Sequence, residues 1–244
     1  MLIWPTALAL SVAGSVGGMI TASVLLLVSK SARDRVVPWL VSFAVGTLLG
    51  AALLGLTPQA LETLEPTPVF GSLLAGILTF FVLEKLVLWR HSHDDHECDV
   101  HKSTATLVIL GDTVHTFVDG VVIAAAVLVS PPLGVTTALA VAAHEIPQEA
   151  GDVAILLAAG HSRSRALMLN LASAGGGLLG ALAMLILGER VPGALPYVLA
   201  FAAGNFLYVA MADLIPTLHR GTLDRNALRQ LVLIGLGILT IALL

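Results

Sequence analysis

Residues Ala143–Asp152 read AHEIPQEAGD and stand between two apolar runs, TTALAVA at 136–142 and VAILLAA at 153–159. A histidine, three carboxylates and a proline thus sit where the flanking residues call for hydrocarbon. The surroundings settle what kind of protein does this. Of the 244 residues, 57% are hydrophobic and 11% are charged, with a mean hydropathy of +0.95. A soluble domain carries about twice that share of charge. Apolar runs of about 18 residues or more, each enough to cross a bilayer as a helix, recur along the chain. The alternating strands of a membrane barrel are absent from the pattern. The sequence predicts an all-α membrane protein.

Eight transmembrane helices are expected near 4–29, 36–57, 68–90, 104–129, 131–159, 164–188, 194–218 and 227–244. Residues 1–28 lack the basic start and short apolar core of a cleaved signal, so they read as a retained span. Ser130-Pro131-Pro132 divides the fourth helix from the fifth in a tight hairpin. Eleven of the twelve Lys and Arg residues fall after helices one, three, five and seven, and Arg190 alone falls on the other side. By the positive-inside rule those connections are cytoplasmic and both termini extracytoplasmic, in a multi-pass protein of the plasma membrane. The single cysteine, Cys98, excludes an internal disulfide.

The chain also repeats itself. FAVGTLLGAALLGLTP at 43–58 returns 158 positions later as FAAGNFLYVAMADLIP at 201–216, with seven of sixteen positions identical. The same offset carries Ser15, Gly17 and Gly18 onto Ser173, Gly175 and Gly176, while GILT at 76–79 reappears at 237–240. An offset of five helices makes the repeats inverted, which gives a 3+2+3 arrangement: helices 1–3 and 6–8 around helices 4 and 5. Inverted repeats build transporters with a substrate site near the midplane. The small-residue faces of Gly14, Gly17 and Gly18 and of Gly175 to Gly177 with Gly180 suit close contact within a chain or in a homodimer.

Helices four and five carry the polar groups. Asp112, His115, Thr116 and Asp119 form one stripe at i, i+3, i+4, i+7, and His144 with Gln148 and Glu145 with Glu149 and Asp152 form two more. At 1.5 Å per residue, His115 lies about 16 Å along its helix and His144 about 20 Å along the next, so both reach similar depth. Each charged carboxylate at that depth costs about 2.5–3.5 kcal/mol, and Asp119, Glu145 and Glu149 together roughly 8–10 kcal/mol. A divalent metal offsets this, since imidazole with carboxylate suits zinc, iron, manganese or nickel. Pro147 withholds a donor from the Ala143 carbonyl and is expected to loosen the helix beside the ligands. Asp112 and Asp152, nearer the cytoplasm, read as an exit path. Glu84, Lys85 and Asp213, near helix ends, read as pairing or snorkelling groups. The cytoplasmic segment 91–103, with His91, His93, His96 and His101, reads as a weak metal buffer within a single transmembrane domain.

HTFVDG at 115–120 and HEIPQEAGD at 144–152 resemble the paired signature of the ZIP (Zrt/Irt-like) metal transporters, in the branch with HNFxDG and HExPHExGD motifs. FVLEK at 81–85, the His-rich segment after it and the two repeated helices extend the likeness over most of the chain. The resemblance implies a two-metal centre between helices four and five, and uptake of zinc or a related divalent ion into the cytoplasm by an elevator-type motion. It makes His115 and His144 principal ligands, assigns Asp119 and Glu145 to a second metal, and puts Gln148 where the family has a bridging His or Glu. Thr116 stands for the usual Asn. Ala51 and Gly55 occupy positions where an acid and a histidine usually line the entrance, which leaves capture to groups such as Glu62 and Glu65.

The metal is therefore expected as substrate, with the bilayer as surroundings and with neither an organic cofactor nor a nucleic-acid partner. Three rivals are weaker. An intramembrane metalloprotease would use HExxH, but Gln148 removes the second histidine. A proton-coupled organic-ion carrier explains the acids and leaves the His-rich segment without a role. A scaffold that binds and senses metal without moving it shares the ligands, and no feature of the sequence excludes it.

Overall fold

The computed structural model describes residues 2–91, 100–218 and 225–244, which are helical almost throughout and contain no strand. We number the helical rods in chain order: α1 (Ile3–Leu27), α2 (residues 30–61), α3 (Pro66–His91), α4 (Val100–Val129), α5 (Pro131–Ala158), α6 (Arg163–Arg190), α7 (residues 195–218) and α8 (Arg225–Leu243). Six of them, all but α5 and α8, are long and apolar enough to cross a membrane. In α5 the polar run 144–152 lowers the apolar content, and α8 offers only the shorter apolar stretch Ala227–Leu243.

Local chemistry sets the boundaries. Ser130, extended at φ −158° and ψ 143°, accepts a bond from the Leu133 amide and so caps α5, with Pro131 and Pro132 in its first turn. The prolines need no amide partner there, and the predicted hairpin forms. Ser29 caps α2 in the same way, so that helix starts at Lys30 rather than 36, and Lys30, Arg33 and Arg35 lie in its first turns.

The helix is loosened in places other than the one expected. Through Pro147, α5 stays α-helical. Instead, α2 widens to a π-helix over Ala51–Leu56 and α7 over Val209–Leu214. Thr57 N–H reaches the Ala52 carbonyl and Ile215 N–H the Ala210 carbonyl, five residues back in both. Pro58 and Pro216 follow directly. A proline ring collides with the carbonyl four residues before it, and a wider turn relieves that contact. The two π segments are separated by the same 158 positions as the sequence repeat.

Packing repeats likewise. The backbones of α2 and α8 meet at Gly46 and Gly237, and those of α3 and α7 at Gly76 and Gly204; at each, a side chain would strike backbone of the opposite helix. Gly204 is the repeat partner of Gly46. Two groups of helices result, α1, α4, α5 and α6 in one and α2, α3, α7 and α8 in the other. Large apolar side chains such as Leu228, Leu231, Val232 and Leu239 of α8 cover the outer surface, as lipid contact requires. Because Gly46 and Gly204 do the same job, Gly46→Leu and Gly204→Leu are expected to lower the melting temperature in detergent to a similar degree, with overpacking costs of about 1–3 kcal/mol or more. A melting temperature unmoved by either substitution would contradict this packing.

Candidate metal centre

Four side chains converge between α4 and α5. His115 and Asp119 of α4 and His144 and Glu145 of α5 each offer a ligand atom, and these atoms all lie within 4.8 Å of one another. The hairpin makes the helices antiparallel, and i, i+4 spacing puts His115 and Asp119 on one face. His115 Nε2 lies 3.1 Å from His144 Nε2. Asp119 Oδ2 lies 3.3 Å from His144 Nε2 and 3.6 Å from His115 Nε2. The contacts are fixed from behind. His144 Nδ1 lies 3.1 Å from the Ala140 carbonyl, so a proton there is donated to backbone and Nε2 turns its lone pair inward.

The centre is walled, and only His115 of the four is partly exposed. His144 is 1% exposed, Glu145 0% and Asp119 2%. Phe80 of α3 packs edge-on against His115 with ring centres 5.7 Å apart, and Phe206 of α7 against His144 at 6.1 Å. Asp119 Oδ2 and both oxygens of Glu145 lack a hydrogen-bond partner. Buried acceptors are seldom left bare in a folded protein, and a cation is the group that satisfies several at once. Two imidazoles with two carboxylates form a donor set suited to zinc and its neighbours.

Of the remaining expected site residues, Thr116 follows His115 directly, while Asp112, Gln148 and Glu149 lie about one turn and Asp152 about two turns along the helices toward the start of α4. Gln148 donates from Nε2 to Asp112 Oδ1 at 3.3 Å, which leaves only its carbonyl oxygen for an ion. Thr116 is fully buried and donates its hydroxyl to backbone carbonyls, Ser173 at 2.8 Å among them. Glu149 accepts from the Asn170 amide, and Asp112 from the Ser173 hydroxyl. Asp152 is half-buried. Glu84 accepts from the Tyr208 hydroxyl, in keeping with its expected pairing role, and Glu62 accepts from Gln59. His93 and His96 lie outside the described residues, as do the side chains of His91 and His101.

Asn170 of α6 escaped the sequence reading and Ser173 entered it only as a repeat residue, although two polar residues at i, i+3 in an Ala/Gly-rich helix were a usable signal. Gly18, read from the sequence only as a repeat and close-contact residue, also bears on the centre. A Cβ there would come within 2.6 Å of the Glu145 Cβ, so α1 presses on the stem of a ligand. Gly176, the repeat partner of Gly18, stands in the same relation to Thr116. The residue after each central histidine is thus braced by a glycine from an outer helix.

A model of the ZIP Zinc transporter family matches residues 1–104 and 89–244 of this chain. Zinc transporter ZIP13 of Pongo abelii is 37% identical over 220 residues, covering 84% of this chain and 65% of that protein. Zinc transporter ZIP13 of Homo sapiens is 33% identical over 257 residues, 84% of this chain and 69% of that protein. Zinc transporter ZIP4 of Homo sapiens is 33% identical over 245 residues, covering 72% of this chain and 38% of that protein. The chain thus spans about two thirds of the ZIP13 relatives and a little over a third of this ZIP4.

Proposed function

The chain belongs to the ZIP family of zinc transporters, and from that premise we propose that it carries a divalent metal, zinc foremost, across the bilayer into the cytoplasm. It is a multi-pass membrane protein. The observation that carries the proposal is the convergence of His115, Asp119, His144 and Glu145 within 4.8 Å on two adjacent helices, the last three of them buried. An ion entering this centre exchanges its water shell for imidazole nitrogen and carboxylate oxygen. Asp119 and Glu145 supply two negative charges against its two positive ones, so the loaded centre carries no net charge at midplane depth. Iron, manganese, cobalt, nickel and cadmium fit the same donors less selectively.

We place all eight helices in the membrane in the 3+2+3 order, with both ends of this chain extracytoplasmic and the membrane the plasma membrane. The π segments at equal offset and the paired glycines support the inverted repeat. An elevator-type motion is supported by the grouping of helices. The centre lies wholly on the group α1, α4, α5, α6, and the other group contributes Phe80 and Phe206, which bind no metal. Asp112 and Asp152 lead from the centre toward the cytoplasm. In this account the chain has no catalytic step, and Gln148 offers a protease no second histidine.

The test is zinc influx into proteoliposomes containing the purified protein, read by an internal zinc indicator. Flux is expected above protein-free vesicles and is expected to be competed by Cd2+ and little affected by Mg2+. Absence of flux from folded protein, or release of peptide from a membrane substrate instead, would reject the proposal.

A further inference from the structure

Four aromatic rings stand in a row through the metal centre. Phe80, His115, His144 and Phe206 follow one another with ring centres 5.7, 5.4 and 6.1 Å apart and planes inclined by 67°, 80° and 60°, so each contact is edge-on. The two outer rings belong to the other helix group, and its packing fixes them. Phe80 is one turn beyond Gly76 and Phe206 two residues beyond Gly204, the glycines at which α3 and α7 meet. One turn further, Glu84 accepts from the Tyr208 hydroxyl and ties the same two helices again. Phe80 is 8% exposed and Phe206 2%. The inner rings are not held alike. His144 has the Ala140 carbonyl behind its Nδ1. Among the described residues, every hydrogen bond and ion pair of His115 runs through Nε2, and none reaches its Nδ1. A metal-ligating imidazole is ordinarily oriented by a partner on its second nitrogen. His115, the partly exposed ligand, has the Phe80 ring instead.

We propose that Phe80 is a positioning residue of the metal centre: its edge-on contact turns the His115 imidazole so that Nε2 meets the ion together with His144. Aromatic pairs favour such edge contacts, and a buried one restricts how both rings turn. Phe206 plays a lesser part, because the Ala140 carbonyl already orients His144. The transport reading enters through one consequence. Phe80 sits on α3, in the group that carries no ligand, whereas His115 sits on α4. When the two groups slide past each other, His115 loses Phe80 and with it the orientation that favours zinc. The centre therefore grips the ion in this arrangement and loosens as it moves, which promotes release on the far side. By the same linkage, a bound ion favours the arrangement in which Phe80 stands against His115.

The experiment measures Zn2+ affinity of the full chain in nanodiscs by competition with a chromogenic chelator. It also records the visible bands of the Co2+-loaded protein, which report ligand geometry. Phe80→Leu is expected to weaken zinc binding about two- to tenfold, the size of one edge-on aromatic contact, and to alter the Co2+ bands. Phe206→Leu is expected to change affinity less than about twofold, since the contact it loses is not the one that orients its histidine. Phe80→Met fills most of the same space without a ring and is expected to behave as Phe80→Leu does, which separates the ring from its volume. Phe80→Tyr keeps the ring and is expected to restore both readouts. In proteoliposomes Phe80→Leu is expected to raise KM for zinc without lowering kcat. Wild-type affinity in both Phe80→Leu and Phe80→Met, a loss in Phe206→Leu as large as in Phe80→Leu, or failure of a cooperatively melting Phe80→Tyr to restore binding would each overturn the positioning role. Failure of the transport reading is separate: it shows as absent zinc flux in vesicles, whatever the affinities of these variants.

Discussion

His144→Ala is expected to lower zinc affinity by more than about a hundredfold, measured by competition with a zinc chelator on the purified protein. Loss of an orienting partner behind a metal ligand alone costs about tenfold to a hundredfold, and removal of the ligand itself exceeds that. His144 is the side chain on which the centre turns. Its Nε2 lies 3.1 Å from His115 and 3.3 Å from Asp119, and its other nitrogen is anchored on Ala140. Without it, His115 and Asp119 face each other at 3.6 Å across a space with no third ligand to draw Glu145 in. The substitution also leaves a cavity beside Phe206 in a fully packed region. His144→Gln fills that cavity and still withholds the imidazole, so the two variants together isolate the ligand's share. Affinity unchanged in both would remove His144 from the site.

Gly18→Val is expected to reduce zinc transport on the order of a hundredfold without removing any ligand atom. A Cβ at residue 18 already falls within 2.6 Å of the Glu145 Cβ, and valine adds two methyl groups to it. Either α1 withdraws from α5 or the Glu145 carboxylate moves away from Asp119 and the histidines. Displacing a reacting group by about 1 Å costs about a hundredfold in well-organised sites. Gly18→Ala is expected to show a smaller loss in the same direction. Zinc binding and melting temperature, measured together, distinguish the two routes: a shifted Glu145 lowers affinity in a protein that still melts cooperatively. Wild-type transport in Gly18→Val would mean that α1 does not brace the centre.

These residues also show what the sequence made legible. The hairpin was readable because Ser130, Pro131 and Pro132 act through their own backbone chemistry, within three residues. His115, Asp119, His144 and Glu145 were readable because each pair shares one helix face, and the hairpin fixes which faces meet. Asn170 and Ser173 depend on α6 docking against α4 and α5, contacts across 21 and 61 residues that no local pattern encodes. The π segments ahead of Pro58 and Pro216 show the same limit. Pro147 and Pro38 also stand inside helices and leave them α-helical, so proline alone does not tell where winding opens. The hydrogen bond of Gln148 to Asp112, across 36 residues, was likewise not foreseeable from spacing.

The account stands most directly on zinc influx into proteoliposomes made from wild-type protein and from the His115→Ala, Glu145→Ala double variant, with folding checked by melting in detergent. One ligand from each helix is removed while Asp119 and His144 remain. The predicted result is wild-type influx well above empty vesicles and double-variant influx equal to them. Influx in the folded double variant equal to that of the wild type would contradict passage of the ion through this centre.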